Sequence, residues 1–253
     1  MTPPERLPEI ALPPGSRLIA DLHLDPENER PWRAFQDWLA ALSAPVLVVL
    51  GDLFEYWLGP AQAEAREFRP LIAALAARGR AGTELHFLHG NRDFLLGAEF
   101  EAAVGGRVHP RGLVGRLGDG GRVLCVHGDE FATLDRSYQR MRRVLRSTPA
   151  RGLARALPLP VSRGIARGLR RRSRQAVSQK TPAYVELQAA EARAWAARLG
   201  ARHVLCGHAH RFRSEDLAGG GRWVVLDAFG GSRDQACATA QDLQYSSSSG
   251  GTG

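Results

Sequence analysis

The sequence predicts an α/β fold, because short apolar runs alternate with segments of helical periodicity. Six runs are rich in β-branched and aliphatic residues and are typical of buried strands: SRLIADLHL, PVLVVLGD, ELHFLHGN, RVLCVHGD, RHVLCGHAH and GRWVVLDAF. Between the first three runs lie two segments, each with a stripe of apolar residues at helical spacing. The stripes consist of Trp32, Phe35, Trp38, Leu39 and Leu42 in the first segment and Phe68, Leu71, Ile72 and Leu75 in the second. The order strand, helix, strand, helix, strand indicates a layered α/β domain with these stripes in its core.

The chain is long enough to bury a large core, since 44% of its 253 residues are hydrophobic and 24% are charged. No run approaches the ~18 apolar residues of a membrane span, and the start, MTPPERLPEI, lacks the pattern of a signal peptide. We therefore expect a cytoplasmic protein that does not cross a membrane. Its three cysteines, Cys125, Cys206 and Cys237, lack CxxC spacing and do not indicate a disulfide framework.

A basic segment is set into an otherwise acidic chain. The net charge is +8, and the stretch from Arg136 to Lys180 contains fourteen of the 34 basic residues and none of the 26 acidic ones. Its residues predict helices punctuated by prolines, without a strand. We therefore expect a helical insertion at about 131–182 that faces an anionic partner, whether phosphate, nucleic acid or lipid headgroups. The insertion would interrupt a single domain at 1–235, and the Ser/Gly-rich end, 236–253, is predicted to be disordered.

Polar residues suited to metal binding follow five of the six predicted strands. In chain order they are Asp21, His23, Asp52, Asn91, His127, His208 and His210. Ligand sites of open α/β sheets lie where strands end, so these side chains can converge on one point. Carboxylate, imidazole and amide donors together suit Mn²⁺, Fe²⁺ or Zn²⁺ better than Ca²⁺ or Mg²⁺. Seven donors are too many for one tetrahedral ion, whereas two ions about 3.5–4 Å apart that share one carboxylate would use them all. The other four histidines, His86, His89, His109 and His203, are interpreted as structural.

The ordered motifs DLH, GDLFE, GNRD, HGD and GHAH resemble those of the calcineurin-like metallophosphoesterase superfamily, over residues 18 to about 230. The resemblance implies a four-layer αββα sandwich with a helical lid insertion and a two-metal centre. By the family pattern, one metal would be held by Asp21, His23, Asp52 and His210. The other would be held by Asp52, Asn91, His127 and His208. Asp52 would then bridge the two ions.

The residue after Asn91 bears on the type of ester. Many members of the superfamily have histidine there, where it can protonate a leaving alkoxide, but this chain has Arg92. A guanidinium keeps its proton, so it is a poor general acid, whereas it can bind phosphate oxygens and stabilise transition-state charge. A phosphoanhydride needs no acid for its leaving group, so Arg92 favours pyrophosphate cleavage. Asp52, Arg92 and His210 are the candidate catalytic residues, and Asp93 is expected to support the loop.

Longer stretches, among them GDLFEYWLG, HGNRDFLLG, HGDEFATLDRSYQ and LPLPVSRGIARGLRRRS, resemble the family of UDP-2,3-diacylglucosamine diphosphatases. That resemblance implies a lipid-linked sugar nucleotide as substrate, a lid over it, and an anionic inner-membrane surface as the place of action. The implied substrate contacts are Asn91, Arg92, Asp135, Tyr138, Ser173, Lys180 and His208. No nucleic acid or obligate protein partner is expected.

Two alternatives remain open from the residues. A phosphodiesterase or nuclease could use the arginines to hold nucleic acid, although aromatic residues are not interleaved with them as in single-strand binders. A non-catalytic interaction module could keep the fold without the metals. All seven candidate ligands are present, which argues against this second alternative.

Overall fold

A computed structural model describes residues 4–158, 161, 163–165, 168 and 186–249, which form two six-stranded sheets and seven named α-helices. The helices are α1 (Glu29–Ala41), α2 (Ala61–Glu64), α3 (Arg69–Arg80), α4 (Ala98–Val104), α5 (Arg136–Leu145), α6 (Thr148–Ala156) and α7 (Ala189–Leu199). The strands are β1 (Glu9–Ala11), β2 (Arg17–Ile19), β3 (Val46–Val49), β4 (Glu84–Leu88), β5 (Arg107–His109), β6 (Leu113–Arg116), β7 (Arg122–Cys125), β8 (His203–Cys206), β9 (Arg213–Asp216), β10 (Arg222–Val225), β11 (Gln235–Ala238) and β12 (Leu243–Ser246).

Both sheets have a parallel centre. The first sheet has the order β1-β6-β7-β8-β10-β9, and β7, β8 and β10 run parallel. The second sheet has the order β12-β11-β2-β3-β4-β5, and β2, β3 and β4 run parallel. Parallel strands are covered on both faces, so their sequences are continuous apolar runs.

Three apolar layers separate the sheets and helices. Side chains from both sheets, such as Val48 and Leu205, fill the space between them. The outer face of the second sheet packs on α1, α3 and α4 through residues that include Phe35 and Leu71, and the outer face of the first sheet packs on α7 through Trp195. The predicted fold class, an αββα sandwich, is confirmed.

The six predicted strands are three adjacent strands of each sheet: β7, β8 and β10 in the first, and β2, β3 and β4 in the second. The other six strands, β1, β5, β6, β9, β11 and β12, were not predicted; β6 and β11 lie inside the sheets, and the remaining four are edge strands. β9, for example, is the edge strand Arg213–Asp216 and alternates partly buried with exposed residues. The four edge strands, β1, β5, β9 and β12, need no second neighbour and little apolar character, so hydrophobic runs do not reveal them.

The prediction of a disordered tail at 236–253 was wrong for the described part. β11 pairs antiparallel with β2, and β12 pairs with β11. Ala236 and Leu243 are buried between the sheets, and the buried carboxylate of Asp234 accepts the backbone N–H of Ser248 at 2.6 Å. The serine-rich composition concealed a hairpin whose alternate residues are apolar. Residues 250–253 lie outside the described part.

Every described element between β7 and β8 is helical. They are α5, α6 and α7, and α6 approaches the second sheet's helical layer through Ala154. The end of the predicted insertion, about residue 182, falls outside the described residues, so its bounds stay a prediction. No helix in the described part is long and apolar enough to span a bilayer.

Candidate metal centre

The backbone at the strand ends is held in an unusual conformation. In the part of the chain that the structure describes, the non-glycine residues with positive φ are Asp21 (53°), His23 (47°), Asp52 (52°), His208 (71°) and His210 (54°). All five are predicted metal ligands. Left-handed backbone is uncommon outside glycine and occurs where function requires it. At these positions it accompanies side chains that lie close to one another at the strand ends.

Close approach of the strand-end loops requires glycine at two motif positions. A Cβ on Gly90, before Asn91, would overlap the carboxylate and backbone nitrogen of Asp52. A Cβ on Gly207, before His208, would overlap the carboxylate of Asp21. The GN and GH motifs therefore pack directly on the two aspartates.

One group of donor atoms forms a small triangle. Asn91 Oδ1 lies 3.0 Å from His127 Nε2 and 3.0 Å from His208 Nδ1, and the two nitrogens are 3.2 Å apart. His127 Nδ1 lies 3.0 Å from the carbonyl oxygen of Leu50. If Nδ1 donates to that oxygen, Nε2 is free to accept or to bind a metal.

A second group lies beside the first. His23 Nε2 is 2.9 Å from His210 Nε2, and His210 Nε2 is 3.5 Å from Asp21 Oδ1. Asp52 stands between the groups, because its Oδ2 is 3.7 Å from His127 Nε2 and 3.8 Å from His23 Nδ1. The seven predicted side chains are therefore all brought together.

These donors fit divalent metal ions. Ligand atoms on one ion, at about 2.0–2.2 Å from it, lie about 3 Å apart, as the atoms of the triangle do. Donor atoms of Asp21, His23 and His210, and of Asp21, Asp52 and His127, lie within 4.8 Å of one another in each set. Asp21 Oδ1 is buried and has no hydrogen-bond partner among the described residues, an arrangement that costs about 1–3 kcal/mol unless a cation satisfies it.

Asp93 ties together the two loops that carry the candidate ligands Asp52 and Asn91, as expected for a residue that supports the loop. Its fully buried carboxylate accepts backbone N–H groups from Gly90 at 2.8 Å, Leu53 at 2.8 Å and Asp52 at 3.3 Å. The last two belong to the GD loop and the first to the GN loop. Asp93 thus sets the distance between Asp52 and Asn91.

Arg92 lies beside the candidate ligands, with its guanidinium between the carboxylates of Asp52 and Glu55. Its backbone N–H donates to Asp52 Oδ1 at 2.9 Å, its Nε is 3.6 Å from Asp52 Oδ2, and its Nη1 donates to Glu55 Oε1. The Arg92 side chain is 29% exposed, so solvent reaches part of it. Glu55 is buried and was given no role from the sequence, although it belongs to the GDLFE motif.

The first helix of the insertion is fixed to the site by a buried polar network. Asp129, the aspartate of HGD, accepts hydrogen bonds from Arg142 Nε at 2.6 Å and Tyr138 Oη at 2.7 Å. Arg146 Nη2 donates to the carbonyl oxygen of Gly90 at 2.8 Å. Arg142 and Arg146 therefore stabilise the fold, although the basic segment was predicted to face an anionic partner.

The predicted substrate contacts differ in where they lie. The Tyr138 ring is beside His208, with centroids 6.1 Å apart. Asp135 is the N-cap of α5, and its Oδ1 accepts the backbone N–H of Tyr138 at 3.0 Å. Ser173 and Lys180 lie outside the described residues.

Comparison with known protein families agrees with this geometry. The family model of the calcineurin-like phosphoesterases matches residues 17–212, which include all seven candidate ligands. The chain belongs to the calcineurin-like phosphoesterase family.

Curated relatives of this phosphoesterase share one name. A protein of Chromohalobacter salexigens named UDP-2,3-diacylglucosamine hydrolase is 37% identical over 77% of this chain and 79% of its own length. Relatives with the same name from Pseudomonas savastanoi and Pseudomonas putida are each 38% identical over 77% of this chain, and over 78% and 81% of their own lengths. A solved structure of vacuolar protein sorting 29 from Cryptosporidium parvum aligns over 91% of this chain at 12% identity, but its TM-score of 0.43 is too low to add to the assignment.

The protonation of the phosphoesterase site follows from burial and charge. Burial and the nearby Arg92 charge lower the pKa of His23 to about 2, and burial with the charge of His127 lowers the pKa of His208 to about 4. Both imidazoles are thus neutral at pH 7, the form that binds metals. Burial also opposes the charged form of His127, but Asp52 and Asp21 outweigh it and raise the pKa of His127 to about 9. His127 would therefore release a proton as it binds a metal.

Sequence reasoning missed three buried acids near this site: Glu55, Asp129 and Glu130. Each lies within a quoted motif, GDLFE or HGDE, so acidic residues next to ligand positions were the available signal.

The four histidines interpreted as structural are buried, as expected. His86 Nδ1 lies 3.0 Å from His109 Nε2, and His89 Nε2 lies 2.8 Å from the Leu96 carbonyl oxygen.

Proposed function

We propose that this chain hydrolyses the pyrophosphate bond of UDP-2,3-diacylglucosamine, giving 2,3-diacylglucosamine 1-phosphate and UMP. The observation that carries the proposal is the convergence of seven metal-binding side chains beside Arg92, in a chain 37–38% identical to relatives named for this substrate. Family membership supports a reaction that uses divalent metals. Mn²⁺ is proposed as the native ion, with Fe²⁺ or Zn²⁺ compatible with the same donors.

The proposed roles of the metal-binding residues follow from their positions. Asp21, His23 and His210 would hold one ion; Asn91, His127 and His208 would hold the other, and Asp52 would contact both. When bound, the two ions would polarise the phosphoryl oxygens and lower the pKa of an attacking water. The side chain of His210 is 40% exposed, more than that of the other proposed ligands. We therefore propose that His210 also contacts the substrate.

The proposed role of Arg92 is to hold the diphosphate and stabilise the charge that develops during cleavage. The guanidinium can donate to two phosphoryl oxygens at once, and it cannot act as an efficient acid. The leaving sugar phosphate is a weak base that departs without a proton. Arg92 therefore favours a phosphoanhydride substrate over an alkyl phosphomonoester.

The helical insertion supports a lipid substrate. Among the described residues, the large hydrophobic side chains that are strongly exposed are all in this segment. They are Leu134, Met141, Val144, Leu153, Val161 and Ile165. We propose that they face acyl chains and that arginines of the same segment face anionic headgroups on the inner-membrane surface. Asn91, His208, Asp135, Tyr138, Ser173 and Lys180 are the proposed contacts to the sugar nucleotide.

Product analysis tests the reaction. The protein is incubated with Mn²⁺ and UDP-2,3-diacylglucosamine, and in parallel with single-stranded DNA, and the products are identified by mass spectrometry. Release of UMP and the acylated sugar 1-phosphate, without DNA cleavage, is the expected result. DNA cleavage with an intact sugar nucleotide would replace the proposal with a nuclease.

Cosedimentation with vesicles tests the surface. Vesicles that contain phosphatidylglycerol should bind the protein better than neutral vesicles, and Leu153→Asp should lower the bound fraction. Ala103→Asp, at an exposed position of α4, is the control and should leave binding unchanged. Equal binding to both kinds of vesicle would contradict the membrane role.

A further inference from the structure

We propose that Glu55 is a positioning residue that serves both halves of the site: its Oε1 fixes Arg92, and its Oε2, 3.7 Å from His23 Nδ1, orients the His23 ring. The inference rests on the metal-dependent hydrolysis proposed above. Glu55 belongs to the GDLFE motif, but it is neither a proposed metal ligand nor a proposed substrate contact.

The backbone of Glu55 is rigidly attached to the loop of His23. The backbone N–H of His23 donates to the carbonyl oxygen of Asp52 at 2.9 Å, and the backbone N–H of Leu24 donates to that of Leu53 at 2.9 Å. In return, the backbone N–H of Glu55 donates to the carbonyl oxygen of Leu24 at 3.0 Å. This short parallel ladder extends β2 and β3 beyond their ends. The carboxylate of Glu55 therefore has a fixed starting point next to the metal-binding residues.

One carboxylate oxygen restrains Arg92. Arg92 Nη1 donates to Glu55 Oε1, while the other end of the guanidinium, Nε, is 3.6 Å from Asp52 Oδ2. The Glu55 side chain is only 7% exposed, whereas Arg92 is 29% exposed. A long arginine side chain has many conformers in water, and the buried carboxylate selects one of them while part of the Arg92 side chain stays exposed.

The other carboxylate oxygen faces His23. Glu55 Oε2 is 3.7 Å from His23 Nδ1, a buried nitrogen that makes no hydrogen bond to any described residue. Nε2 of the same ring points to His210 and the metal-binding group. Histidines that bind metals usually donate their second N–H to a carboxylate, which fixes the ring and makes it a better ligand. Asp52 Oδ2 is as near to Nδ1, at 3.8 Å, but it is the proposed shared metal ligand, so we assign the orientation of the His23 ring to Glu55.

The two contacts predict two separable effects, and four variants test them: Glu55→Ala, Glu55→Gln, Arg92→Ala, and the double variant with Glu55→Ala and Arg92→Ala. Mn²⁺ affinity is measured by titration calorimetry, and kcat and KM are measured from UMP release. Loss of the His23 contact should weaken Mn²⁺ binding about 10- to 100-fold in Glu55→Ala, whereas Arg92→Ala should keep the wild-type affinity. At saturating Mn²⁺, Glu55→Ala should lower kcat about 10-fold or more with KM little changed. The double variant should then be no slower than Arg92→Ala.

Glu55→Gln keeps the shape and one acceptor oxygen, so it should restore part of kcat but little of the Mn²⁺ affinity. It also provides the test if Glu55→Ala does not fold. Glu29→Ala, which breaks an exposed pair with Arg33 in α1, is the matched control and should change neither quantity. Wild-type Mn²⁺ affinity in both Glu55 variants, or rate losses that multiply in the double variant, would overturn the proposal. If wild-type protein releases no UMP, the proposed function fails, but the Mn²⁺ titrations still decide the role of Glu55.

Discussion

Asp93 Oδ2 accepts the backbone N–H of Leu53 at 2.8 Å across two loops that are 40 residues apart in sequence. Oδ1 accepts the N–H of Gly90 at the same distance, so one side chain fixes the loops of Asp52 and Asn91. We expect Asp93→Asn to disturb this link, because one oxygen becomes an NH₂ group that opposes an N–H. The variant should lose about 1–3 kcal/mol of stability and bind Mn²⁺ more weakly.

Urea unfolding and Mn²⁺ titration measure the two effects of Asp93→Asn. Asp25→Asn is the control, since Asp25 accepts a single backbone N–H from Glu27 near the surface. Equal stability and equal Mn²⁺ affinity of the two variants would show that Asp93 does not hold the centre.

Arg92 determines the preferred leaving group. We expect Arg92→Ala to lower kcat for the sugar nucleotide about 10²- to 10³-fold, as loss of one preorganised donor does. Arg92→His should introduce a group that can donate a proton, and should therefore raise the rate on an alkyl phosphodiester relative to that on the diphosphate. Steady-state kinetics on both substrates give this ratio, with Arg111→Ala at an exposed position as control. An unchanged ratio in Arg92→His would contradict the leaving-group argument.

Asp129 holds the first insertion helix to the domain. It is fully buried beside Arg142 and Arg146, so Asp129→Asn removes the negative charge that these two cations share and should cost about 3–5 kcal/mol, although Arg142 keeps its pair with Glu130. Asp119→Asn is the matched control, because Asp119 pairs with Arg202 at a partly exposed site, where the cost should stay below about 1 kcal/mol. Urea unfolding compares the two. A loss below 1 kcal/mol in Asp129→Asn would mean that the network does not stabilise the fold.

His86 and His109 predict a pH dependence that is separate from the metal centre. Burial lowers the pKa of His109 to about 4, and the charges of His86 and Arg107 contribute to this shift. Burial also lowers the pKa of His86, although the nearby carboxylate of Glu84 acts to raise it. In the folded protein the pKa of His109 lies below its unfolded value of about 6.5. The contribution of the neutral histidine to the free energy of unfolding is therefore fully present above about pH 6.5 and is lost as the pH falls toward about 4.

We therefore expect the free energy of unfolding to fall more between pH 7.5 and pH 5 in wild type than in His109→Gln. The difference should be about 1 kcal/mol, because solvent near the pair screens part of the effect. Urea titrations of both proteins at the two pH values measure it. An equal fall in the two proteins would rule out this contribution.

The sequence predicted the fold class and the convergence of the candidate ligands because both depend on local patterns. The inner parallel strands, such as Val46–Val49, are continuous apolar runs, and the ligands follow them directly. Glu55 and Asp129 could not be assigned, because their partners Arg92 and Arg142 are brought near by tertiary structure. The final hairpin was missed because its pairing with β2 spans more than 200 residues and its serines suggested disorder.

The metal content of the wild-type protein and of Asp52→Ala, measured together with UMP release, tests the two-metal account most directly. Asp52 lies between the two groups of donors, so its loss should impair both. We expect about two Mn²⁺ ions per wild-type chain, fewer than about one in Asp52→Ala, and no UMP release by the variant. Near-normal UMP release by Asp52→Ala, or full wild-type activity with at most one ion per chain, would contradict the account.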